Sequence, residues 1–277
     1  MNADEFEIDS GGTVLAGETA GTGHPVLLLH GLTATRRYVV MGSRTLERSG
    51  HRVLSYDARG HGRSSPARDG RYDYPSLVGD LLAVLDGAGI ERATLAGASM
   101  GAHTAAALAL EHPERVGALC LITPAFDPAT ARGAEELADW DRLAAGLRAG
   151  GVEGFVEAYR LERLPAAIRP TIETVLRQRL AAHLHPAAVA DALEAIPRSE
   201  PFQSLERLGE LAVPTVIVAS RDELDPGHPL AVGEAWSQAI PGARLIVEEQ
   251  RDPPVSPTAW QGGQLSRVIA ELVQRST

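Results

Sequence analysis

The pentapeptide Gly97-Ala98-Ser99-Met100-Gly101 constrains this chain more than any other segment. It follows an apolar run over residues 93–98 (ATLAGA) and opens a run of small, helix-favouring residues over 101–111 (GAHTAAALALE). An extended run that passes into a helix within one residue has to turn sharply. Side chains two positions before and after the pivot would collide, and glycine at 97 and 101 removes both collisions. The pivot, Ser99, is then lifted out of the turn with its hydroxyl towards solvent. Such a turn places a strand in a sheet and a helix over it, so an α/β architecture is expected.

Short apolar runs alternate with helical patterns along the rest of the chain, which argues for a mostly parallel sheet covered by helices. Residues up to about 20 read as a hairpin, with turns at Gly11-Gly12 and Gly21-Thr22-Gly23. Further strands are expected at 25–30 (PVLLLH), 52–57 (RVLSYD), 116–123, 214–219 (PTVIVA) and 243–248 (ARLIVE). Helices are expected at 74–87, where Leu77, Leu81, Leu82 and Leu85 share one stripe, and at 228–240 and 256–274. From 127 to 201 the pattern is helical throughout, with breaks at Gly150-Gly151, Pro165, Pro170 and Pro186. That segment is expected to be a helical cap inserted into a core made of residues 1–126 and 202–277.

Charge and composition exclude several function classes. The net charge of −10 disfavours a nucleic-acid partner, which requires a basic face. All 26 basic residues are arginine. Without lysine the chain can form no lysine Schiff base and build no P-loop. The acidic N-terminus lacks the apolar core of a signal peptide, and no run approaches the ~20 apolar residues of a membrane span. A cytoplasmic protein is therefore expected. The single cysteine, Cys120, lies in an apolar run and reads as a buried structural thiol with no disulfide partner in the chain. His183 and His185 are the only close histidine pair, too little for a metal site, and Gly60-His61-Gly62 lacks the third glycine of a dinucleotide fingerprint. No metal and no cofactor are expected.

Three motifs occur in order, each after an apolar run. They are His30-Gly31, then Tyr56-Asp57-Ala58-Arg59-Gly60-His61-Gly62-Arg63-Ser64, then the turn at Ser99. Their order and spacing resemble the α/β-hydrolase superfamily, in its lipase, esterase and lactonase branch, over nearly the whole chain. The resemblance implies an eight-stranded, mostly parallel sheet flanked by helices, with the cap after the sixth strand. It makes Ser99 the nucleophile and the backbone N–H groups of Leu32 and Met100 the oxyanion donors. It makes His30 and His61 structural, one beneath the oxyanion loop and the other bracing the loop after Asp57. It also points to Asp222 as the catalytic acid, because Ala219, Asp222 and Pro226 fit the spacing after the strand at 214–219, with Asp225 as second choice.

The pattern breaks at the base. The superfamily takes its histidine from the loop after the last strand, yet no histidine follows His228. A serine hydroxyl without a base is a poor nucleophile. A relocated base is one explanation. His228, just after Asp222 on the catalytic edge, is the leading candidate. His103 is expected to point into packing, while His183 and His185 could lean over the pocket from the cap, and Asp127 could serve a moved base as its acid. A second explanation is weak or different chemistry on an oxyanion hole alone, a lyase or cyclase step included, with Asp252 as a substitute base. A third is ligand binding without catalysis. The intact turn, His-Gly loop and aspartate favour a hydrolase-like enzyme acting on a small ester, lactone or other acyl substrate. The expected partners are that small molecule and, as an option, a second copy in a homodimer. Trp140, Phe155 and Tyr159, with a helix over 157–164 presenting Tyr159 and Leu161, would line an apolar pocket or pack the cap. Arg36-Arg37, Arg177 and Arg179 read as solvated helix faces.

Overall fold

The computed structural model describes residues 3–128, 133–221, 227–248 and 262–276. Its elements in chain order are β1 (Asp4–Ser10), β2 (Thr13–Ala20), β3 (His24–Leu29), α1 (Thr45–Arg48), β4 (His51–Tyr56), α2 (Tyr74–Gly87), β5 (Ala93–Ala98), α3 (Met100–Glu111), β6 (Val116–Ile122), α4 (Ala134–Ala158), α5 (Arg169–Leu180), α6 (Pro186–Ala195), β7 (Thr215–Ala219), α7 (Leu230–Ala239), β8 (Arg244–Val247) and α8 (Gly262–Ser276).

The strands form one eight-stranded sheet in the order β1-β2-β4-β3-β5-β6-β7-β8. β2 is antiparallel to β1 and β4, and the remaining pairs are parallel. The chain leaves β3 towards β4 on one side and leaves β5 towards β6 on the other. The strand order therefore reverses between β3 and β5, which opens a crevice at their C-terminal ends. The residues after these two strands are Gly31-Leu32 and Ser99-Met100.

Alternation along the strands sorts side chains onto two faces. Leu27, Leu29, Leu95, Leu119 and Ile217 join one core with α2 and α3 residues and Trp236 of α7. Val26, Leu28, Ala96, Cys120 and Val218 join another with Leu265, Ile269 and Val273 of α8. Cys120 is fully enclosed there, as expected, and burial pushes its thiol up to about 12. Helices α4 to α6 occupy the chain between β6 and β7, with no strand among the described residues. They build a third apolar cluster on Leu32, Ala58, Leu77 and Met100, over the crevice edge.

Two expected boundaries shift for local reasons. The helix expected from residue 228 begins at Leu230, because Pro229 holds an extended backbone and the residue before a proline is disfavoured in helical conformation. His228 is thereby left on the loop. The helix expected over 157–164 does not form. α4 stops at Ala158, Arg160 turns left-handed at φ 58°, and a 3₁₀ turn follows over Leu161–Arg163. The start of the helix expected at 256 lies outside the described residues.

Candidate active site

Ser99 has φ 52° and ψ −114°, a backbone conformation that side-chain-bearing residues avoid. Such a residue costs about 1–3 kcal/mol and persists only where its surroundings force it. The two glycines supply that force. A Cβ on Gly97 would stand 2.2 Å from the Gly101 carbonyl oxygen, and one on Gly101 would stand 2.3 Å from that of Leu29. The strand and helix therefore touch backbone to backbone. Met100 opens α3, so its N–H has no acceptor within the helix and faces the crevice end. Across the crevice, a Cβ on Gly31 would lie 3.5 Å from Ser99 Cβ, which brings the loop carrying Leu32 alongside the serine.

His228 completes the contact. Its Nε2 lies 2.9 Å from Ser99 Oγ, although the two residues are 129 positions apart. The loop between β7 and α7 therefore reaches the serine from two strands away. Asp222 and Asp225, in the same loop, lie outside the described residues, as does Asp252. On the His228 side of Ser99 two described carboxylates stand at this sheet edge. Asp127 follows β6, and buried Glu248 closes β8, its N–H donating to the Ala219 carbonyl.

Two other histidine candidates, His103 and His183, are engaged elsewhere, and the third, His185, precedes α6 at partial exposure. His103 is buried in α3. Its Nδ1 pairs with the Tyr74 hydroxyl at 2.7 Å and its Nε2 accepts from the Ala125 N–H at 3.0 Å. His183 is buried too, accepting from the Gly62 N–H on Nδ1 at 2.8 Å and donating from Nε2 to the Thr33 carbonyl at 3.3 Å. Sequence reading had allowed it to lean over the pocket; it faces into the protein, where both ring nitrogens find backbone partners. His30 donates from Nδ1 to the Gly31 carbonyl at 2.8 Å and accepts from the Ala58 N–H at 2.9 Å. His61 sets Nε2 2.6 Å from the Leu32 carbonyl and Nδ1 2.9 Å from the Arg59 carbonyl, and the single N–H of the neutral ring is assigned to the shorter contact, with Leu32. Burial and the nearby His61 ring push His30 down to about 4 and His183 down to about 3. Burial also lowers His61, against the pull of its two carbonyls.

Asp57, in the loop after β4 that carries His61, is a buried charge. Asp57 accepts from the N–H groups of Arg36 at 2.9 Å and Arg63 at 3.0 Å, and pairs with the Arg36 guanidinium. Arg36 is thus not the solvated side chain expected from sequence, because desolvating Asp57 requires a counter-charge. Arg179 likewise stacks over the Tyr38 ring, while Arg177 is held by Glu153 and Glu173. Phe155 is enclosed in the α4–α6 cluster, with Trp140, Tyr159 and Leu161 packed against it. Sequence reading missed the roles of His183 and Arg36, since neither belongs to a local motif. Among the described residues no group of three or more His, Cys, Asp or Glu side chains is placed to hold a metal ion, and no helix is long and apolar enough to cross a membrane.

Comparison with known proteins agrees with this architecture. The family model for the alpha/beta hydrolase fold matches residues 24–252. A protein of Variovorax paradoxus (strain S110), provisionally named carbamate hydrolase RutD, is 31% identical over 73% of this chain and 74% of its own length. The 2-hydroxy-6-oxononadienedioate/2-hydroxy-6-oxononatrienedioate hydrolase 2 of Pseudomonas putida is 32% identical over 83% of this chain and 80% of its own. Among solved structures, a thermophilic esterase from Thermogutta terrifontis superposes with a TM-score of 0.77 at 26% identity, covering 99% of both chains. With its sheet order, its strained serine turn and these relatives, the chain belongs to the α/β-hydrolase fold family and is a hydrolase-type enzyme of that family.

Proposed function

We propose that this protein is a serine hydrolase that cleaves a small uncharged acyl compound, an ester, lactone or carbamate, with Ser99 as nucleophile and His228 as its relocated base. The observation that carries the proposal is the 2.9 Å contact between Ser99 Oγ and His228 Nε2. A base at that distance can take the hydroxyl proton as the oxygen attacks a carbonyl carbon. The tetrahedral oxyanion would be received by the N–H groups of Leu32 and Met100, each such donor being worth about 10²–10³ in rate. His228 then returns the proton to the leaving alcohol or amine, and water repeats the cycle on the acyl-enzyme. For Nε2 to act as acceptor, Nδ1 must carry the ring proton, and Asp222 is the carboxylate assigned to hold it. Helices α4 to α6 act as the cap. Their apolar packing on Leu32 and Met100 supports an uncharged acyl group, and the engagement of Arg36 and Arg177 in ion pairs argues against an anionic substrate there.

The test is intact-mass analysis after exposure to a fluorophosphonate, comparing wild type with Ser99→Ala and His228→Ala. One adduct on the wild type, none on Ser99→Ala and slow labelling of His228→Ala are expected. A wild type that stays unlabelled for hours would overturn the proposal in favour of a ligand-binding or non-hydrolytic protein. A panel of p-nitrophenyl esters, lactones and p-nitrophenyl carbamates then ranks the substrate classes.

A further inference from the structure

Three consecutive backbone carbonyls, those of Gly31, Leu32 and Thr33, are each held by a different buried histidine. His30 Nδ1 donates to Gly31 at 2.8 Å, His61 Nε2 meets Leu32 at 2.6 Å, and His183 Nε2 donates to Thr33 at 3.3 Å. The rings adjoin one another, tilted between His30 and His61 with centroids 5.2 Å apart and edge to face between His61 and His183 with centroids 5.5 Å apart. The Gly31 carbonyl belongs to the same planar peptide unit as the Leu32 N–H, so fixing the one aims the other. The next two carbonyls fix the residues that follow. The first two rings come from the core, whereas His183 comes from the turn between α5 and α6. That turn is tied down a second time by the Leu184 N–H, which donates to the Gly62 carbonyl at 2.9 Å.

We propose that His183 is a positioning residue, the cap's contribution to a three-histidine brace that aims the Leu32 N–H at the developing oxyanion. The oxyanion role of Leu32 rests on the serine-hydrolase reading given above. The hydrogen bonds of His183 go to backbone of the two loops, and its ring packs edge-on against His61. Its partners fix its tautomer, because Nδ1 accepts from the Gly62 N–H and Nε2 must then carry the proton. The same holds in mirror form for His30, which donates from Nδ1 and accepts on Nε2. Both rings serve only when neutral, and the burial that lowers their basicity keeps them so. Cap and oxyanion loop are thereby one mechanical unit.

The experiment compares wild type with His183→Phe, which keeps the ring but loses both bonds, and His183→Gln, whose amide N–H stands near the position of Nε2. Hydrogen–deuterium exchange over residues 30–36 and turnover of p-nitrophenyl acetate are both read. His183→Phe is expected to speed exchange at the 32–34 amides about tenfold or more while β3 and β5 keep their protection. Its kcat is expected to fall about ten- to hundredfold with KM little changed, the signature of an interaction made in the transition state. His183→Gln is expected to recover most of both. Wild-type exchange over 30–36 in His183→Phe would overturn the brace whatever the activity. Faster exchange with unaltered kcat would overturn the positioning role. A wild type unreactive towards fluorophosphonate would instead sink the hydrolase reading, and the oxyanion role with it, so the two failures are told apart.

Discussion

Gly97→Ala probes the serine turn most directly. The added Cβ would stand 2.2 Å from the Gly101 oxygen, 2.3 Å from the Gly101 carbonyl carbon and 2.6 Å from the Ala102 nitrogen. All three are backbone atoms in the first turn of α3, so no side chain can swing aside. A Cβ does not approach another heavy atom more closely than 3.0 Å, so strand and helix must part by about 0.8 Å. Met100 sits in the part of the helix that has to move, and its N–H moves with it. A displacement near 1 Å at a positioned catalytic group costs about 10²-fold in rate. Overpacking of this kind also costs about 1–3 kcal/mol of stability. The expected outcome for Gly97→Ala is a kcat for p-nitrophenyl acetate reduced about 100-fold, KM little changed, and a lower urea midpoint. Gly117→Ala on the neighbouring strand is the control. Its Cβ would meet the Ala93 oxygen at 3.5 Å, an ordinary contact, and both readouts are expected to stay near wild type. A Gly97→Ala enzyme with wild-type kcat would refute the claim that backbone contact across this turn sets the position of the Met100 N–H.

Other consequences are open to simpler tests. Ser99→Ala and His228→Ala are expected each to lower kcat/KM by about 10³ or more, and the double variant to be no worse than either, since the pair acts as a unit; losses that multiply would show two independent roles. Asp80 is fully buried and pairs with Arg59 through two contacts of 2.7 Å, so Asp80→Ala strands a buried guanidinium and is expected to lower stability by about 3–5 kcal/mol in urea unfolding. His30 and His183 have folded-state pKa values of about 4 and about 3, below the ordinary 6.5, so the unfolded chain binds more protons in between. Their contribution is complete above pH 6.5 and is lost as pH falls towards 4 and then 3, and His183→Gln is expected to flatten the fall of the urea midpoint across that window. Cys120 is expected to resist a thiol reagent until the protein unfolds, because the side chain is fully buried and its thiol is pushed up to about 12.

Much of the fold was legible because its signals are local. The limits of α2 and β5 follow from a leucine stripe and an apolar run that end at turn residues, and both match the observed elements. The serine turn was legible because steric exclusion demands glycine at two fixed offsets. What escaped was non-local. His183 reaches Gly62 and Thr33 across 121 and 150 positions, and no periodicity or spacing encodes that meeting. Arg36 looked like a solvated arginine because its neighbours in sequence are polar, whereas its partner, Asp57, is supplied by the end of another strand. The helix expected over 157–164 failed because a run of favourable residues cannot outweigh a left-handed stop at Arg160.

With His228 as the proposed base, the displacement of the histidine has a geometric explanation. In this sheet β7 is two strands from β5 and β8 is three, with neighbouring strands about 4.8 Å apart. A base carried after β7 therefore has about 10 Å to cover to reach Ser99, one strand spacing less than a base carried after β8. The segment from Ala219 to His228 is long enough for that reach, since an extended residue spans about 3.3 Å. Pro229 keeps His228 out of α7, so the side chain stays on the loop and does not rotate with the helix. Reach and freedom from the helix are what the base proposed above requires, and His228 meets both. The absence of histidine after the last strand is thus no argument against an activated serine, because parallel β6, β7 and β8 all end at the same edge of the sheet. Which loop delivers the base is decided by its length and by where its helix starts.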